Sequence, residues 1–85
     1  MLSAAQCRAA RGLLSWSQYD LAQKAGIGVV TVHQIEAGIS KPRRATLQVV
    51  RRAFEEAGVA FLDENGGGAG VRFRDASGDQ RPNSV

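Results

Sequence analysis

The stretch from Gln18 to Ile35 constrains the fold of this chain more than any other. Gln18 and Ala22 lie one helical turn apart, and Gly26, Ile27, Val32 and Ile35 follow in order. Two helices that meet at ~90–120° through a turn of 3–4 residues need these residue types. The close crossing wants a small residue in the first helix, which is Ala22. The turn wants a residue at ease with positive φ, which is Gly26. An apolar residue must plug the angle, and Ile27 does so. The second helix needs an inward stripe, and Val32 and Ile35 supply it.

The flanks are punctuated as helices too. Ser3 and Gln6 have capping-box spacing, and the first helix is expected to run to about Leu14 with Cys7, Ala10 and Leu14 on one face. Ser17 with Asp20 marks the start of a second helix that ends at Gly26. Trp16 and Leu21 stand at hydrophobic-staple spacing around that start. A third helix is expected over Val29 to about Ala37, stopped by Gly38. A fourth runs from about Arg44 to Ala57, with Leu47, Val50, Phe54 and Ala57 on one face and Gly58 as its stop.

Beyond Gly58 the period changes from helical to two. Val59 and Phe61 share one face, as do Val71 and Phe73, around the glycine-rich run Gly66–Gly70. That run lacks the lysine and spacing of a phosphate loop and reads as a turn. A lone hairpin is marginal in water, so this one either folds onto the helices or pairs with a second chain. Under the second option, truncation after Gly58 leaves a folded helical domain. The expected division is 1–58 helical domain, 59–74 hairpin and 75–85 disordered tail.

Charge narrows the partner. Residues 1–54 hold eight Lys and Arg against two acids, a net +6, whereas residues 55–85 hold three Arg against six acids, a net −3, which together give the chain its +3. Lys41, Arg43, Arg44, Arg51 and Arg52 fall within residues 40–52 with no acid among them. Such an excess suits a polyanion, nucleic acid before an anionic membrane. With 85 residues there is room for one domain. No apolar run approaches the ~20 residues of a membrane span, and no secretory signal opens the chain. A single cysteine, Cys7, excludes an internal disulfide and fits a cytoplasmic setting. Cys7 and His33 are too few for a structural zinc site, and neither cofactor nor small-molecule ligand is indicated. No nucleophile–base set points to an enzyme.

Trp16-Ser17-Gln18-Tyr19-Asp20-Leu21-Ala22, Gly26-Ile27 and Thr31 to Gly38 resemble the Xre/Cro family of lambda-repressor-like helix-turn-helix regulators over about residues 3–58. The resemblance implies a mostly α fold, a compact bundle of four or five helices whose third helix enters the DNA major groove. It implies base contacts from Val29, Val30, Thr31, His33 and Gln34. It implies phosphate contacts from Gln18, at a helix start, and from Lys41, Arg43 and Arg44, in and after the loop. It further implies an internal ion pair between Arg11 and Glu36. The first recognition positions depart from the family, which often carries Ser, Arg or Gln there. Val29 and Val30 cannot hydrogen-bond a base edge but can pack on thymine methyls, whereas Gln34 can grip adenine at two points. The implied function is a sequence-specific transcriptional regulator, a repressor or autorepressor, that binds double-stranded DNA. Helix-turn-helix proteins commonly dimerise on half-sites, so a homodimer is expected, with residues 59–74, which lie beyond the resemblance, as a candidate dimerisation element. The alternative is a protein-interaction module of antitoxin-like or anti-activator type. The basic run favours DNA.

Overall fold

The computed structural model describes residues 2–39, 41–62 and 69–75. Four helices precede two strands: α1 Ala4–Leu14, α2 Gln18–Ala25, α3 Val29–Ala37, α4 Arg44–Glu56, β1 Val59–Leu62 and β2 Gly70–Phe73. The expected class, a mostly α bundle with a C-terminal hairpin, is the one observed. The glycine-rich run through Gly68 and the tail from residue 76 lie outside the described residues.

The caps are where the sequence puts them. Ser3 and Gln6 form a full capping box on α1, and Ser17 and Asp20 form a second on α2. Gly26 and Gly38 end α2 and α3 in the left-handed conformation, at φ 71° and 67°. That conformation strains any residue with a Cβ, so glycine is the residue that fits. Helix α1 ends without a glycine. Ser15 adopts φ 57° there, which costs a non-glycine residue ~1–2 kcal/mol. The Trp16 N–H donates to the Arg11 carbonyl across this turn, at 3.0 Å, and so satisfies one of the helix's terminal acceptors.

The helices pack in pairs, α2 on α3 and α4, and α1 on α3. Phe54, Leu21, Val32, Val50, Val59 and Cys7 are fully buried at the centre. Trp16 packs on this core with its ring stacked on Phe54, centroids 5.7 Å apart, so the residue before the α2 cap is anchored to α4. Phe61 meets Phe54 in an edge arrangement, centroids 6.0 Å apart.

The hairpin therefore folds onto the helices. Its apolar face, Val59, Phe61 and Val71, belongs to the helical core. Gln6 completes the attachment: its side-chain amide donates to the carbonyls of Leu62 and Gly70, one on each strand, at 3.3 and 3.1 Å. A chain cut after Gly58 would lose the buried Val59, so the separable helical domain that goes with a partner-held hairpin does not match this packing. Strand β2 also begins one residue earlier than the pattern suggests. Val59, the first residue of β1, pairs with Phe73, which leaves Arg74 beyond the ladder with its N–H on the Gly58 carbonyl at 2.8 Å.

Candidate nucleic-acid interface

The α2–α3 corner fixes the site. Ala22 is buried at the crossing, and the Ile27 N–H donates back to the Ala22 carbonyl at 3.0 Å, which locks the turn. Ile27 packs its side chain on the core, and Val32 and Ile35 hold the inner side of α3. One side of a nine-residue helix is thus committed to the interior, and the positions between turn outward. Val29 is 41% exposed and Val30 65%; His33 and Gln34 are exposed and Thr31 half-buried.

Thr31 and Gln34 line an open cleft of about 230 Å³ together with Lys41, Arg43 and Thr46. The structure thereby brings two of the expected base-reading residues beside two of the expected phosphate-binding cations. Arg44 is not among them. It lines a second cleft, of about 300 Å³, with Leu2, Leu47, Gln48 and Arg51. Thr46, half-buried on α4, is a further member of the cleft; a threonine in a basic helix carries no signal in sequence until its neighbours are known. Arg51 is tied to Glu55 at 3.0 Å and lies over the Phe61 ring, 5.1 Å from its centroid, so its charge belongs to the hairpin side of the molecule.

Behind α3 lies a polar knot centred on Glu36, which is 5% exposed. Arg11 grips it with two hydrogen bonds, Nε to Oε2 and Nη2 to Oε1, each 2.7 Å. Gln18 Nε2 donates to Oε1 at 3.0 Å and the Cys7 thiol to Oε2 at 3.3 Å. Arg8 donates to the Glu36 carbonyl. Arg11 also reaches the Trp16 carbonyl at 3.0 Å. Burial alone would raise the Glu36 carboxyl, but the hydrogen bonds from Arg11, Gln18 and Cys7 outweigh it and hold it below the usual carboxylate range. Burial, followed by the hydrogen bond to Glu36, pushes the Cys7 thiol up to about 12. A thiol so placed is a hydrogen-bond donor, not a nucleophile. The same knot bears on Gln18. Its side-chain N–H is directed inward to Glu36, not outward, so the group it can offer a phosphate is its backbone N–H, which has no helical partner at the first position of α2.

A helix-turn-helix family model matches residues 8–57, more than half of the chain, including α2, α3 and the loop to α4. The chain belongs to the Xre/Cro/lambda-repressor-like helix-turn-helix family. Members of this family carry the fold as a DNA-binding regulatory domain, not as an enzyme. The chain is accordingly a DNA-binding helix-turn-helix regulator. None of the curated proteins compared with the chain matches it. Among the described residues no helix is long and apolar enough to cross a membrane.

Proposed function

We propose that the chain is a sequence-specific, double-stranded-DNA-binding transcriptional repressor or autorepressor of the cytoplasm, which reads the major groove with α3. The observation that carries this reading is the cleft in which Thr31 and Gln34 sit beside Lys41 and Arg43. Base edges specify and phosphates position, and this cleft offers residue types for both tasks within one reach. Gln34 is the principal hydrogen-bonding base reader, with Thr31 and His33 beside it and Val29 and Val30 ahead of it. Lys41, Arg43, Arg44 and the Gln18 backbone hold phosphates on either side.

Action as a homodimer through residues 59–74 belongs to the same proposal. Because the apolar side of the hairpin rests on α1 and α4, a second chain would meet its outer face or a strand edge, where Leu62 is exposed. The experiment that tests the reading is binding of the purified chain to the DNA immediately upstream of its own reading frame, set against a random duplex of equal length. Preference for the upstream DNA is expected; equal binding to both, or to neither, would refute an autorepressor.

A further inference from the structure

The tip of α3 differs from the starts of α1 and α2. Those two helices open on serine caps that accept hydrogen bonds, whereas α3 opens on Gly28, with no side-chain cap. Nothing in the fold demands glycine here. Its φ of −74° is open to any residue, and an added Cβ would find its nearest neighbour at 3.9 Å, the Thr31 hydroxyl. A Ser, Asp or Asn would cap the helix better. Val29 and Val30 follow, both solvent-facing and both β-branched, so neither burial nor helix propensity accounts for them. Three successive positions thus carry no side-chain hydrogen-bonding group at the end of the helix that enters the groove. They adjoin Thr31, which lines the cationic cleft.

Apolar side chains of this kind have one matching feature in the major groove. Every base pair presents polar acceptors and donors there, but thymine alone among the ordinary bases adds a methyl group, at C5. A valine laid on a polar edge strips its water and returns no hydrogen bond, which is unfavourable. A valine laid on a methyl buries apolar area on both sides.

Resting on the reading of α3 as the recognition helix, we propose that the Gly28–Val29–Val30 tip reads 5-methyl groups in the major groove. Binding then depends on thymine methyls at the contacted step, and 5-methylcytosine substitutes there for thymine in the apolar contact. Methylation of cytosine at C5 raises affinity at such a position instead of blocking it.

The test uses the full chain and a duplex enriched by it from a random-sequence pool. The duplex is synthesised with thymine, then with deoxyuridine at each thymine in turn; the change deletes one methyl and keeps the hydrogen-bonding pattern. Each contacted methyl is expected to be worth about fourfold in Kd, from the free energy of burying one CH2-sized group. Where a T·A pair is replaced by C·G, methylating that cytosine is expected to recover about fourfold. The double variant Val29→Ala, Val30→Ala, at exposed positions where alanine suits the helix, is expected to bind thymine and uracil duplexes within twofold of each other. Uracil duplexes bound as well as thymine duplexes by the unaltered chain, cytosine methylation without effect, or full methyl sensitivity in the double variant would each overturn the proposal. Failure to enrich any duplex would instead overturn the DNA reading of α3 beneath it.

Discussion

The two sides of α3 follow opposite rules. On the inner side, Glu36 is gripped by Arg11, Gln18 and Cys7, and Val32 and Ile35 are packed into the core. On the outer side, Val29, Val30, His33 and Gln34 are exposed and, among the described residues, none of their side chains is held by a hydrogen bond. A helix of nine residues has little stability of its own, so its inner side must hold it. The outer side is then free to be chosen for what it touches. The rigid back fixes where the outward side chains leave the backbone, while their own rotamers remain free until they meet a partner.

The largest effect is expected on the inner side. Glu36→Ala leaves Arg11 half-buried without its partner and should destabilise the fold by ~3–5 kcal/mol, read from urea or thermal unfolding. A loss below ~1 kcal/mol would mean that the knot is ornamental and that apolar packing alone orients α3. The same carboxylate sets the acid limb of stability. Its pKa is depressed in the fold, so its contribution is full above the ordinary value near 4.5 and is lost as pH falls through the lower folded value. Unfolding midpoints measured from pH 6 downward should show this decline, and Glu36→Gln should flatten it. Cys7 acts at the other end. Its raised pKa means that stability declines as pH rises above 9, and Cys7→Ala should soften that alkaline decline.

On the outer side, substitutions should leave unfolding unchanged and alter binding. Gln34→Ala is expected to lower discrimination between the enriched duplex and a random one by ~1–3 kcal/mol. Parallel loss on both duplexes would place Gln34 away from base edges. Arg43→Ala, the smallest effect, should weaken binding to all duplexes alike and make the slope of log K against log[salt] shallower by ~0.9. A change of sequence preference in that variant would move Arg43 from phosphate to base.

Much of this was legible from residues alone because it depends on short-range chemistry. The Ser3–Gln6 and Ser17–Asp20 boxes, the left-handed Gly26 and Gly38, and the Ala22–Ile27–Val32–Ile35 spacing are local rules that the tertiary structure leaves intact. What escaped reading depends on which distant atoms meet. Gln6 was visible as a capping residue, but its second task, clasping Leu62 and Gly70, requires the hairpin to be in place. Gln18 stands at a helix start, which suits a phosphate, yet Glu36 draws its side chain inward from eighteen residues away. Ser15 ends α1 in a left-handed turn with no glycine to announce it. The hairpin's apolar face fitted two destinations, and Phe54, whose ring meets both Trp16 and Phe61, decides for the helices. At the interface, sequence supplied the residue types and the structure supplied their grouping: Lys41 and Arg43 join Thr31 and Gln34, and Arg44 does not.

The central claim, that the face formed by α3 and the loop to α4 holds duplex DNA through its phosphates, is tested most directly by a salt titration of binding. Lys41, Arg43 and Arg44 would each neutralise one phosphate at ~0.9 per contact, giving a slope of log K against log[salt] of about −2.7 per chain. A slope of that size or steeper on a duplex is the expected result. An affinity that barely changes between low and moderate salt would contradict the account.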